Sequence, residues 1–176
     1  MRSRYQVHQP NCAYFITATI VKWLPVFTST ACCDVVVRAL EYYRQHNALK
    51  IYAWVILDNQ VHAILSAPDL SAVLRDLKSY IAREILEQLQ REGRDWLLNQ
   101  LSSHRGAQKP NDFQVWQEDS NPQVISDEAA MLQKLEDIHN NPVKRGWVAA
   151  PAHWRYSSAH AWLGGAPPLL RCDHWR

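Results

Sequence analysis

The order of elements in this chain predicts an α+β domain with a mostly antiparallel sheet. Three observations carry that reading. Residues 49–57 and 61–66 form two apolar, β-branched runs separated by Asp58-Asn59, the signal of a hairpin. Residues 70–90 set Leu70, Val73, Leu74, Leu77, Ile81, Ile85 and Leu89 at helical spacing on one face. Along the whole chain the patterns run strand, helix, strand, strand, helix, strand, helix. A length of 176 residues suits one well-buried domain and is short for two, so residues 1–176 are read as a single domain.

Residues 13–21 (AYFITATIV) alternate and are rich in β-branched and aromatic side chains, as in a strand. Ser29 or Thr30 can cap a helix to about His46, with Val35, Val36, Ala39, Leu40 and Tyr43 at helical spacing. The hairpin and the long helix follow. That helix carries Arg75, Lys78 and Arg83 on its other face, and after Gly93 a shorter helical piece covers 95–101. Residues 102–112 are polar and contain Gly106 and Pro110, so they read as an exposed loop. Residues 113–117 (FQVWQ) read as a short fourth strand. Residues 127–140 read as a helix capped by Ser126 and ended or kinked at Asn141-Pro142, since proline disfavours helical geometry in the residue before it. From Pro151 the tail is expected to wrap the domain without regular structure.

Composition narrows the function only a little. Apolar residues at 47 % and charged residues at 20 % describe an ordinary globule, and a net charge of +2 is too small to argue for nucleic acid unless it gathers on one face. Eight tryptophans are many for this length; stacking platforms for bases are one use, and core or half-core packing is the commoner one. Cys12, Cys32, Cys33 and Cys172 show no metal-ligand spacing, and Cys32 and Cys33 look like small buried residues. With no signal peptide and no apolar run of the ~18 residues a span needs, a cytoplasmic protein with reduced thiols and no membrane partner is expected.

Specific chemistry enters through three blocks. Residues 52–65 read YAWVILDNQVHAIL, residues 134–148 KLEDIHNNPVKRGWV, and residues 154–162 WRYSSAHAW. In this order they strongly resemble the HUH-type single-tyrosine transposases, which include the REP-associated tyrosine transposases and which cut and rejoin single-stranded DNA next to hairpins. The family forms are close to NHVH and KLEYIHNNPV. Here Gln60 stands at the first histidine and Asp137 at the tyrosine. The resemblance spans nearly the whole chain and implies a ferredoxin-like antiparallel sheet with helices packed on one face.

Alternation along a strand puts Gln60 and His62 on one face, with Val61 opposite. In the family two histidines at this spacing hold a divalent cation that polarises the scissile phosphate. A third ligand comes one helical turn after the nucleophile, which here falls on Asn141. Gln60, His62 and Asn141 would make a weak Mg²⁺ or Mn²⁺ site, because it offers two neutral oxygens and one imidazole. The alternative for Gln60 and His62 is a polar strand face packed against a helix.

The nucleophile position matters more. A phenolate attacking a DNA phosphate leaves a phosphotyrosine ester that conserves the bond energy for rejoining. Asp137 would give an anhydride prone to hydrolysis, so it suits metal ligation or the orientation of a water better. Tyr80 is a substitute nucleophile of low rank, and Tyr156 ranks below it as a tail anchor. For DNA contact the sequence offers Lys144, Arg145, Arg75, Lys78, Arg83 and Arg155 toward phosphates and Asn140 and Asn141 toward backbone or bases. Trp147, Trp154 and Trp116 are offered as stacking surfaces. A solvated helix face is the ordinary alternative for each charge. Ser157 and Ser158 suggest a turn or a phosphate contact.

The leading expectation is thus a transposase-like protein that binds single-stranded or hairpin DNA with strand cleavage and transfer impaired. The alternatives are an active member with Gln60 as ligand and an unusual nucleophile, and a domesticated interaction module without DNA binding. The resemblance also implies a homodimer.

Overall fold

The computed structural model describes residues 7, 9–103, 112–118 and 121–175. Strand β1 (Tyr14–Thr19) leads through two short 3-10 turns into α1 (Thr30–His46), whose N-cap Ser29 accepts a hydrogen bond from the Cys32 amide. Strands β2 (Lys50–Ile56) and β3 (Gln60–Ser66) form the hairpin expected at Asp58-Asn59. Helix α2 (Leu70–Arg91) follows, capped by Asp69, and then α3 (Asp95–Ser103). The two-residue β4 (Gln123–Val124), α4 (Glu128–Lys144) and α5 (Ala159–Leu163) complete the chain.

The sheet order is β2-β3-β1-β4, every neighbouring pair antiparallel. Because β3 lies between β1 and β2, those two strands run parallel and α1 crosses over β3 to join them. This is the split β-α-β of a ferredoxin-like fold.

Two cores sit on the two faces of the sheet. Tyr14, Ile16, Ala18, Ile51, Trp54, Ile56, Val61, Ala63 and Leu65 face the apolar stripes of α1 and α2 and the buried Leu97 and Leu101 of α3. On the opposite face Tyr52, Ala53, Val55, Leu57 and Ile64 meet Met131, Leu135 and Ile138 of α4. The expected layer of helices on one face describes α1 to α3; α4 adds a second layer across the other. β2 serves both faces through a register shift between Ile51 and Ala53, where the extra Tyr52 turns two consecutive side chains toward α4. That irregularity explains why LKIYAWVIL does not alternate.

Four expectations from sequence are corrected. Residues 113–117 make one bridge, Ile20 with Trp116, rather than a strand. The ladder stops there because the partner backbone turns away at Lys22 and Trp23, both at positive φ (55° and 52°). Helix α4 is capped by Asp127, whose side chain accepts from the Ala130 amide at 2.8 Å, and not by Ser126. It also runs through Pro142, which is buried in its last turn. The stop is Gly146 (φ +75°): the Trp147 amide donates to Pro142 O and the Gly146 amide to Val143 O, the double closure of a Schellman motif. The tail is not wholly irregular either, since it contains a 3-10 turn at Pro151–His153 and α5. Most of the loop read over 102–112 lies outside the described residues.

Gly146 supports a first prediction. A Cβ there meets nothing within 4 Å, so only the left-handed backbone resists substitution. Gly146→Ala is expected to cost about 1 kcal/mol, read as a lower urea midpoint with an unchanged m value.

The tryptophans divide differently from the packing expectation. Trp54 is fully buried, whereas Trp23, Trp96, Trp147 and Trp162 are among the exposed large hydrophobic residues. The four cysteines are free thiols, with Cys32 and Cys33 buried as expected. Among the described residues no helix is long and apolar enough to cross a membrane.

Candidate functional site

The polar residues of the α4-facing sheet surface gather at the end of the β2–β3 hairpin. Gln60 and His62 lie on that side with Thr17 and Thr19 of β1, their direct partners in the antiparallel register (Thr19 with Gln60, Thr17 with His62). Thr17 Oγ1 and His62 Nδ1 are 3.0 Å apart, and Gln60 Nε2 donates to Thr19 Oγ1 at 3.2 Å. Phe15, next along the strand face, stacks on the His62 ring with centroids 5.7 Å apart.

Helix α4 supplies the other wall. Lys134 Nζ lies 4.6 Å from the centre of the Phe15 ring. One residue past the helix, Arg145 uses its fork: Nη1 donates to Asp58 Oδ1 at 2.8 Å and Nη2 to Gln60 Oε1 at 3.2 Å. The flat face of the guanidinium sits 5.0 Å from the Trp147 ring, and Trp147 in turn packs on Trp154 at 5.1 Å. Trp154 is fixed by its own indole N–H, which donates to Ile56 O. Gly146 turns the chain sharply enough for Trp147 to fold back under Arg145.

At 100° per residue, Lys134, Asn141 and Arg145 fall on one strip beside the buried stripe of α4, and Asp137 and Lys144 lie further round toward solvent. Asp137 there forms an ion pair with Lys144 at 3.6 Å and accepts from Gln133 at 3.4 Å. Burial first, and then the charges of Arg145 and Lys134, push the His62 imidazole down to about 4, so at neutral pH it is uncharged between two cations.

The structure brings together only some of the residues the sequence singled out. Gln60, His62, Asn141, Lys144, Arg145, Trp147 and Trp154 share the α4 side, and Asn140 is on the same helix, turned away from the sheet. The basic residues of α2 lie across the sheet from them. There Arg75 pairs with Asp76, Arg83 with Glu84, and Lys78 lies over Trp116. Trp116 donates to Lys78 O and packs against the α1–α2 core, so it belongs to that face. Tyr80 is also on α2, under the Arg83 guanidinium and against the same core, with the sheet between it and His62. Arg155 lies over the Tyr156 ring. Tyr156 anchors the tail as expected, through a hydrogen bond to Asp34 on α1.

Of the two readings for Ser157 and Ser158 the turn holds, with Ser158 in the turn that enters α5, while burial of both removes them from phosphate contact. Ser158 Oγ instead accepts from the Trp54 amide and lies 2.8 Å from His139 Nε2, docking the tail along the open edge of β2. Sequence reasoning missed Asp58, Thr17, Phe15 and Lys134. Asp58 was visible as a turn residue, and nothing in the sequence marked it as the partner of a cation 87 residues away.

No family model matches the chain. A protein of Haemophilus influenzae named "Putative REP-associated tyrosine transposase" is 27 % identical over 116 residues, which span 66 % of this chain and 62 % of that protein. A solved REP-associated tyrosine transposase, bound in that structure to a REP hairpin, superposes with a TM-score of 0.66 and 19 % identity. The superposition covers 99 % of this chain and 93 % of the other, and it shows the shared fold. In sequence and in fold, the chain resembles the REP-associated tyrosine transposases.

Proposed function

We propose that this transposase-like protein binds single-stranded or hairpin DNA and does not carry out strand transfer. One observation carries the reading. Lys134, Arg145 and Trp147 form a basic and aromatic surface on the His62 side of α4, with Lys144 further round toward solvent, while the position read as the nucleophile's holds Asp137 in an ion pair and α4 has no tyrosine. A carboxylate paired with Lys144 offers no phenolate and no ester that could be rejoined. The cations would neutralise phosphates, and Trp147 presents a flat surface to an unpaired base. The hairpin held by the solved relative supports the choice of DNA. The same resemblance implies a homodimer, which light scattering would read against the 20.4 kDa of one chain.

Labelled hairpin-flanked single-stranded DNA, incubated with the protein in Mg²⁺ or Mn²⁺, tests this. The expected result is a shift on a native gel and intact DNA on a denaturing gel. A protease-sensitive covalent band would mean a working transposase, and freed cleaved DNA would mean hydrolysis. The absence of any native shift would leave an interaction module. With three phosphates neutralised, affinity is expected to fall roughly twentyfold between 50 and 200 mM salt.

A further inference from the structure

The donor set at Gln60, His62 and Asn141 does not fit a divalent cation. The one oxygen Gln60 could give to a metal, Oε1, is committed to Arg145 Nη2 at 3.2 Å. Asp58, which shares Arg145 with Gln60, is committed to Nη1 at 2.8 Å. His62 holds Nδ1 against Thr17 Oγ1, so Nε2 is the one imidazole nitrogen it could offer, a single neutral donor. Among the described residues no three histidine, cysteine, aspartate or glutamate side chains gather in a way that could hold a metal. A doubly charged ion would also enter beside Lys134 and Arg145, two fixed positive charges, with only neutral ligands to offset them. Hard cations at such sites normally depend on carboxylates.

The same features suit an anion. A guanidinium has five N–H groups in a rigid fork. Arg145 spends one on Asp58 and one on Gln60, which leaves donors to spare. Its orientation is fixed in advance by those two bonds and by the Trp147 face, so little rotamer freedom remains to be lost on binding. The arrangement is held by tertiary structure at both ends, Asp58 on the hairpin turn and Arg145 at the Schellman closure of α4.

We propose that the pre-oriented Arg145 binds a DNA phosphate directly at the Gln60–His62 face, with Lys134 on the far side of His62 placed for another phosphate, and that no divalent cation takes part. The proposal rests on the DNA-binding reading above and adds how the phosphate is held. Gln60 then has a definite part: its amide oxygen accepts from the guanidinium, whereas an imidazole at that position would offer a metal a nitrogen ligand.

Two measurements test it on the full chain. Mn²⁺ alone is titrated into the protein without DNA and followed by the paramagnetic resonance of the free ion. No saturable site at millimolar Mn²⁺ is expected, and a saturable site would overturn the proposal. In Arg145→Gln, which frees Asp58 and Gln60, Mn²⁺ affinity is expected to rise. Hairpin DNA binding is then compared in Mg²⁺ and in EDTA. Equal affinity is expected for the unmodified protein, with a loss of at least tenfold in EDTA for Arg145→Gln and a smaller one for Lys134→Gln. Binding in Mg²⁺ that vanishes in EDTA would overturn the proposal and leave the DNA-binding reading standing. No binding under either condition would overturn that reading, and the Mn²⁺ titration would still decide whether the site takes a metal. Circular dichroism of both variants confirms that they fold.

Discussion

Gln60→His and Asp137→Tyr, introduced together, are expected to produce a covalent protein–DNA adduct where the unmodified chain forms none. The structure makes the experiment practicable. Asp137 is more than a third exposed and its partner Lys144 is mostly in solvent, so the ion pair between them is worth about 0–1 kcal/mol and its loss leaves the fold intact. A tyrosine there projects from the solvent side of the strip that carries Asn141 and Arg145. Gln60 gives up its bonds to Thr19 and Arg145, while Arg145 keeps Asp58. The measurement is a denaturing gel of labelled hairpin DNA in Mn²⁺, run beside a chain that carries Arg145→Gln in addition and with DNA at saturating concentration. If both chains bind the hairpin and neither yields the covalent band, these two positions are not the ones that lost the chemistry.

Acid is expected to destabilise the fold as pH falls from 6.5 toward 4. His139 is 6 % exposed, with Nε2 against Ser158 Oγ, and burial pushes its imidazole down to about 4. In the unfolded chain it titrates near 6.5. Between those values the unfolded chain binds the proton and the folded chain does not, so stability rises with pH through this window. The contribution is fully present above 6.5 and is lost as pH falls toward 4. It amounts to on the order of 3 kcal/mol, since each unit of displacement corresponds to about 1.4 kcal/mol. Urea unfolding at a series of pH values measures it. His139→Gln keeps a polar partner for Ser158 and cannot titrate, so its stability should be flatter between pH 4 and 6.5. An unchanged slope in that variant would place the acid sensitivity elsewhere.

Because His139 and Ser158 tie α4 to the tail and to Trp54 on β2, that loss would be felt across the sheet. Trp54 both donates to and receives from Ser158 through its backbone, and Tyr156 O accepts from the Ile56 amide. The tail thereby covers an edge strand that would otherwise present unpaired amides. The WRYSSA block, which in sequence looked like part of the chemistry, is explained by this closure.

The sequence by itself determined the local elements and the identity of the blocks. Apolar spacing of 2.0 and 3.6 residues depends only on the strand or helix that carries it. For that reason β1, α1, the β2–β3 hairpin and α2 were legible, as was the shared face of Gln60 and His62. Tertiary structure decided the rest, because it depends on residues far apart in the chain. Pro142 reads as a stop until the following backbone is seen closing a Schellman motif at Gly146. Arg75, Lys78, Arg83 and Lys144 read as one basic set until the sheet separates the first three from the last. Arg145 reads as a surface charge until Asp58 and Gln60, brought up by the hairpin, take two of its donors. Spacing along a chain can fix which side of an element a residue occupies. Which charges meet across that side is set by packing, where bonds of about 3 Å join residues more than eighty positions apart.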